Sequence, residues 1–231
     1  MPGLEATEGL AGIVLDVEGT VCGVEFVREI LFPYARRHLA AYLDDHAGET
    51  QLEGILAETR QRAGRPLTRD QTRDQLLQWM ADDRKLAPLK SLQGLIWEAG
   101  YRSGQLLAPL YPDVAPLLRE WRSRGLRLYV YSSGSVHAQR LFFAHSTHGD
   151  LSAMFDGYFD TGVGGKLDPA SYAAIAERTG LAPGSLLFLS DHAGEVAAAA
   201  AAGWRALRVD RGAASVETDA AAIRSFDELS V

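Results

Sequence analysis

Apolar residues gather in short runs along the chain, and each run empties into a polar turn. Residues 11–16 read AGIVLD, an apolar, partly β-branched run that ends at Asp16 and is soon followed by Gly19. A short continuous apolar run bounded by turn residues is the pattern of a strand buried on both faces of a parallel sheet. Arg127–Tyr131 (RLYVY) leads into Ser132-Ser133-Gly134-Ser135, residues 186–189 (LLFL) lead into Ser190-Asp191, and Arg205–Val209 is a fourth run. A short strand is predicted near Tyr158-Phe159.

Helical spacing fills the intervals. Val114, Leu117, Leu118 and Trp121 lie on one face of a helix predicted over residues 112–124, with Gly125 as its stop. Residues 169–178 and 195–202 are further helices, closed by Gly180 and Gly203. The alanine-rich stretch 196–202 suits a helix packed closely on a sheet. Strand and helix in alternation predict an α/β fold with a doubly wound parallel sheet.

Residues 25–108 break this rhythm. No strand pattern occurs there; apolar positions recur at helical spacing through Val27, Ile30, Leu31 and Tyr34, then Leu52, Ile55 and Leu56, then Leu76, Leu77 and Met80, then Leu92, Leu95 and Ile96. Breaks at Gly48, Gly64-Arg65-Pro66 and Pro88 divide the interval into about four helices. This predicts a helical cap over 25–108 inserted into a core made of 1–24 and 109–231. Pro33 falls inside the first pattern and should kink or restart that helix. The tail after Gly212 carries no clear pattern and is expected to pack loosely.

Composition narrows the setting. The 231 residues carry a net charge of −7, which argues against nucleic acid or an anionic membrane as partner. Cys22 is the single cysteine, so no intrachain disulfide forms, in keeping with a reducing cytoplasm. The opening MPGLEATEGL lacks the basic-then-apolar order of a signal peptide, and no apolar run approaches a membrane span.

Against that background, four features fall just after predicted strands or in a loop leading to a helix, where the carboxyl ends of parallel strands share one edge. In Asp16-Val17-Glu18-Gly19-Thr20, an acid at a strand end can attack phosphorus, and a second acid two residues on can protonate a leaving oxygen and then activate water. Thr20 adds a hydroxyl near the phosphate. Ser132 to Ser135 offer hydroxyls and N–H groups at the opening of a helix, an anion site or simply an N-cap. Lys166, in the glycine-flanked Gly162-Val163-Gly164-Gly165-Lys166, can neutralise developing charge, although taken singly it reads as a surface lysine. Those glycines lack the spacing of a nucleotide-binding loop. Ser190-Asp191 with Glu195 suits magnesium, which takes a few carboxylates plus phosphate oxygens and water, while Glu195 alone equally suits the first turn of a helix.

In this order the four features resemble the motifs of the haloacid dehalogenase superfamily. Glu18 is the acid that its dehalogenases usually lack, so phosphate chemistry is expected. The chain is more closely similar to the enolase-phosphatases of methionine salvage, through Asp16 to Thr20 with glutamate as second acid, LFPYAR at 31–36, LQGLIW at 92–97, YSSGS at 131–135, FDGYFDT at 155–161, Lys166 with Ser171-Tyr172, and FLSD at 188–191. The resemblance covers nearly the whole chain. It implies a magnesium-dependent, monomeric, cytoplasmic enzyme whose partner is a small phosphorylated diketone, with neither nucleic acid nor membrane as partner. Such enzymes enolise 2,3-diketo-5-methylthio-1-phosphopentane and then release the phosphate, giving 1,2-dihydroxy-3-keto-5-methylthiopentene. The alternative is a generic small-molecule phosphatase of the superfamily.

The resemblance also distributes roles. Asp16 and Glu18 are catalytic; Ser132, Ser133 and Lys166 bind substrate; Asp16, Glu18 (through its main-chain carbonyl) and Asp191 hold Mg2+. It depart from the family pattern at Val21-Cys22, at His192-Ala193-Gly194 and around 164–169, which bears on substrate preference rather than reaction type. No residue is singled out as the base for enolisation. Trp97 and Glu98 either face the substrate or belong to the cap core. Of the six histidines, only His192 lies beside the expected site, and Cys22 reads as a packed thiol.

Overall fold

The computed structural model describes residues 9–212 and 222–229. The opening residues 1–8, which include most of the segment read as lacking a leader, lie outside the described residues, as do 213–221 and 230–231 of the tail. The chain divides into two compact units, Met1–Val24 with Leu107–Val231, and Glu25–Leu106.

The first unit is built on six parallel strands: β1 Gly12–Leu15, β2 Arg127–Tyr131, β3 Gly157–Phe159, β4 Leu186–Ser190, β5 Arg205–Val209 and β6 Ala222–Ile223. Their order in the sheet is β3-β2-β1-β4-β5-β6. β1, β2 and β4 are buried almost throughout, which is why their sequences read as unbroken apolar runs. In the described part of the tail, β6 corrects the expectation of loose packing: two residues, too short to leave a period-two signal, pair with Arg208 and Val209 at the sheet edge.

The strand order reverses direction between β1 and β4. Crossovers leave these two strands in opposite directions, so a crevice opens beyond their carboxyl ends. Register fixes the height of that edge, with Leu15 beside Val130 of β2 and Leu189 of β4.

The second unit contains four α-helices, α1 Phe32–Asp45, α2 Thr50–Ala63, α3 Arg69–Ala81 and α4 Ala87–Arg102. A wide π-type turn over Phe26–Leu31 precedes α1, and Pro33 sits in the first turn of α1, where no intrahelical N–H is needed. The proline restarts the helix rather than kinking it. Thr68 and Gln71 close a capping box at the start of α3. Leu39, Leu52, Leu56, Leu76 and Leu92 are fully or almost fully buried among these helices. Trp97 donates its indole N–H to the Leu31 carbonyl at 2.8 Å, and its ring lies 6.0 Å from that of Phe32. Glu98 pairs with Arg102 at 2.6 Å.

The remaining helices belong to the sheet unit: α5 Val114–Ser123, α6 Val136–Ala144, α7 Pro169–Thr179 and α8 Ala193–Ala201. α7 sends Tyr172, Ile175 and Ala176 into a core shared with Val14, Tyr131 and Phe188, and α8 joins through Ala198 and Ala199. Small residues on α8 leave room for Tyr172, whose ring stands edge-on to Phe188 at 5.3 Å and to Trp204 at 5.5 Å. Edge-to-face aromatic pairs contribute roughly 0.5–1.5 kcal/mol each beyond the area they bury. No helix among the described residues is long and apolar enough to cross a membrane.

Candidate active site at the carboxyl edge of the sheet

Asp16 continues β1 by one residue, its N–H donating to the Leu189 carbonyl at 2.9 Å. The chain then coils tightly: the Val17 carbonyl accepts from the N–H groups of Thr20, Val21 and Cys22. Gly19 makes this possible, with φ +72 and with a position where a Cβ would lie 2.2 Å from Asp191 Oδ2. The turn thereby brings the loop after β1 against the acid that follows β4. Thr20 is fully buried, and its hydroxyl accepts from the Asp191 N–H at 3.0 Å. That hydroxyl ties the two loops together. Glu18 is half-buried in the same turn. Cys22 is buried, with its thiol directed to the Val17 carbonyl at 3.7 Å.

Lys166 is the largest departure from a single-residue reading. It is 7 % exposed, and its ammonium lies 2.6 Å from Asp16 Oδ1 and 2.6 Å from Glu195 Oε2. Ser190 completes the group, donating to Glu195 Oε2 at 2.8 Å and lying 3.4 Å from Asp16 Oδ2. Glu195 is therefore both a first-turn acid of α8 and a partner of the lysine. His192 is exposed and caps α8, its Nδ1 accepting the Glu195 N–H at 3.3 Å.

The serine turn opens α6, as its pattern predicts. α6 begins at Val136 and Ser135 is its N-cap, accepting the Ala138 N–H at 3.2 Å. Ser132 and Ser133 precede the helix start, so the capping role falls to Ser135 alone. Ser132 is buried directly beyond β2, accepts the Gly134 N–H at 3.3 Å, and lies on the same sheet edge as Asp16; Ser133 is exposed. Gln139 braces the turn by donating to the carbonyls of Gly134 and Phe159.

Acids outnumber the lysine in this group. Burial, reinforced by the negative charges of Asp16 and Glu195, pushes the Asp191 carboxyl up to about 6. Burial and then Asp16 raise Glu195 likewise. Burial disfavours the charged form of Lys166, but Asp16 and Glu195 outweigh it and hold the ammonium above the usual lysine range. Among the described residues no three His, Cys, Asp or Glu side chains form a ready-made metal cage. Magnesium needs no such cage, since it binds through one or two carboxylates and keeps water and phosphate oxygens for the rest. Asp16 and Asp191 are hard oxygen donors on loops that meet at Gly19, in a group whose acids exceed its cations, and this donor chemistry fits the ion.

Sequence reasoning did not anticipate the contacts of Ser190 or the pairing of Glu195 with Lys166. A serine closing the apolar run of β4 was the available signal, because a polar residue fully buried at a strand end needs a partner.

The chain matches the haloacid dehalogenase-like hydrolase family over residues 10–203. It is 51% identical over 200 residues to an enolase-phosphatase E1 of Parvibaculum lavamentivorans, covering 86% of this chain and 85% of the relative. An enolase-phosphatase E1 of Persephonella marina is 41% identical over 223 residues, covering 95% and 98%. Among solved structures, the UTR4 protein of Saccharomyces cerevisiae superimposes with a TM-score of 0.83 at 33% identity, covering 95% of this chain and 100% of that one.

Proposed function

The chain belongs to the haloacid dehalogenase-like hydrolases and, within them, to the enolase-phosphatase E1 family, and on that footing we propose how its own residues carry out the reaction. The reaction is enolisation of 2,3-diketo-5-methylthio-1-phosphopentane followed by hydrolysis of the phosphate, in methionine salvage. The observation that supports the assignment of roles is the buried Lys166 ammonium, held 2.6 Å from Asp16 at the switch point of the sheet.

Lys166 and the Ser132 hydroxyl hold the phosphate oxygens, with the backbone at Ser133 as a further donor. A carboxylate oxygen of Asp16 attacks phosphorus; the P–O–C bond breaks at phosphorus and an aspartyl-phosphate forms. Glu18 gives its proton to the departing enol oxygen. The Glu18 carboxylate then takes a proton from water, whose oxygen displaces Asp16 from phosphorus and releases inorganic phosphate. Asp16 and Glu18 thereby return to their starting states. Asp16, the Glu18 carbonyl and Asp191 would hold Mg2+, which would supply neutralisation of phosphoryl charge. The excess of carboxylates over lysine supports that placement.

Incubation with the diketone phosphate and Mg2+, following the enol by ultraviolet absorbance and phosphate in parallel, tests this reading. An enol that precedes phosphate is expected. Phosphate release with no preceding enol rejects the two-step reaction, and hydrolysis of a simple aryl phosphate at an equal rate reduces the protein to a general phosphatase.

A further inference from the structure

We propose that the hydroxyls of Tyr131, Ser171 and Tyr172 form a clamp on the backbone of the lysine loop, and that this clamp positions Lys166 for phosphate; the inference rests on the reading of Lys166 as a phosphate-binding group. Three successive carbonyls of the loop are each taken by a side chain. The Gly164 carbonyl accepts from Tyr131 Oη at 3.0 Å, the Gly165 carbonyl from Ser171 Oγ at 2.8 Å, and the Lys166 carbonyl from Tyr172 Oη at 2.7 Å. None of these donors is on the loop itself. Tyr131 comes from β2, and Ser171 and Tyr172 from α7.

The donors are fixed from behind. Tyr131 and Tyr172 are fully buried, and their rings stand edge-on to one another at 5.5 Å in the sheet core. A tyrosine locked by its ring holds its hydroxyl at a set height above the sheet. One of the glycines that lead into Lys166, Gly164, finds its reason here. Gly164 adopts φ +143, and a Cβ at that position would lie 2.1 Å from Ser171 Oγ. A side chain there is incompatible with the central bond of the clamp. The Tyr131 ring also faces the ammonium, with Lys166 Nζ 5.8 Å from its centroid and 5.9 Å from that of Phe188.

Ion pairs alone do not suffice to hold the lysine through turnover. Once a carboxylate oxygen of Asp16 becomes the ester oxygen of an aspartyl-phosphate, that side chain no longer offers Lys166 a full negative charge. Glu195 remains, and the rest of the positioning falls to the backbone, which the three hydroxyls fix independently of the reacting group.

Each donor can be deleted as a single oxygen with its packing kept: Tyr131→Phe, Ser171→Ala and Tyr172→Phe. Kinetics of phosphate release, the inhibition constant for inorganic phosphate and the melting temperature are measured for each with Mg2+ present, alone and combined with Lys166→Met. Lys166→Met is expected to lower kcat/KM by about 10²–10³-fold. Tyr172→Phe is expected to lower it about tenfold and to weaken phosphate inhibition, since a small misplacement of a binding group is costly. In the Lys166→Met background the same Tyr172→Phe change should cost less than about twofold, because the clamp then has no ammonium to position. An equal loss in both backgrounds, tracking the fall in melting temperature, overturns the clamp and leaves only a structural role. So do folded single variants with wild-type kinetics. Should Tyr172→Phe fail to fold, Ser171→Ala carries the same cycle. Lys166→Met at wild-type activity overturns the phosphate reading itself, a failure visible without any clamp variant.

Discussion

Among the described residues of the sheet unit, Arg211 and Lys166 both have side chains almost closed to solvent, and their surroundings are opposite in character. Arg211 is sandwiched between the rings of Tyr111 and Phe226, at 4.5 and 4.6 Å, and pairs with Asp113 at 2.7 Å. Asp113 Oδ2 also receives the Phe226 N–H at 2.7 Å and the Ser225 hydroxyl at 3.1 Å. Burial by itself would raise the Asp113 carboxyl, but these donors outweigh it and hold it below the usual range. Lys166 faces Asp16 and Glu195, with Asp191 close by, and there Asp191 and Glu195 are raised. One cluster stabilises its charges; the other holds acids against their preference. A carboxylate whose charged form is favoured fastens the fold, as Asp113 joins the start of α5 to the segment after β6. Carboxylates crowded beyond their cations are, on the proposed reading, a place that an arriving cation such as Mg2+ would complete.

The two clusters should therefore fail in opposite ways. Asp16→Asn should abolish phosphate release, with a loss on the order of 10⁴-fold or more, while the melting temperature stays level or rises because one crowded charge is gone. Substantial residual turnover rejects Asp16 as nucleophile. Arg211→Met should do the reverse first: it strands Asp113 in the interior and costs about 3–5 kcal/mol of unfolding free energy, read from urea denaturation. Because Arg211 Nε also donates to the Thr20 carbonyl at 3.0 Å, some activity should fall with it. A stable Arg211→Met protein would show that the balanced pair is dispensable and erase the contrast.

Ligand linkage gives a smaller effect. Mg2+ at about a hundred times its dissociation constant should add about 2.7 kcal/mol of stability to the wild-type protein. The gain should vanish in Asp191→Asn and survive in Asp113→Asn. Calorimetric melting with and without the ion separates the two, and an undiminished gain in Asp191→Asn moves the metal elsewhere.

Much of this could be read from residues in order. β1, β2 and β4 announce themselves because a strand buried on both faces has no polar alternation to obscure it, and α5 because Val114, Leu117, Leu118 and Trp121 share one helical face. The positions of Asp16, Ser132 and Asp191 at one sheet edge follow from those strands. What the sequence hides is pairing across long separations. Lys166 meets an acid 150 residues away and Asp113 an arginine 98 residues away, and no local pattern encodes either. The tie made by Thr20 is hidden for the same reason, since its partner, the Asp191 N–H, lies 171 residues on. β6 is two residues long, below any periodic signal.

Acid titration yields the finest separation of the two clusters. Asp113 has a folded value below its unfolded one, so its contribution is present above about pH 4 and is lost as pH falls through the lowered folded value. Asp191 in the metal-free protein has the opposite sign: raised to about 6 from 3.8, its charge costs stability above pH 6, and the cost disappears as pH drops below the unfolded value. Asp191→Asn should therefore stabilise the metal-free protein at pH 7, with the gain fading between about pH 6 and 4. Asp113→Asn should destabilise at pH 7, with the loss shrinking only below about pH 4. Chemical denaturation in chelator across pH 3–8 reads both curves at once. Mg2+ should erase the first curve and leave the second, because the ion takes up the charge that Asp191 otherwise carries at a cost, whereas Asp113 already has its cation. If both variants follow the same pH dependence, the distinction between a fastening pair and a crowded site fails.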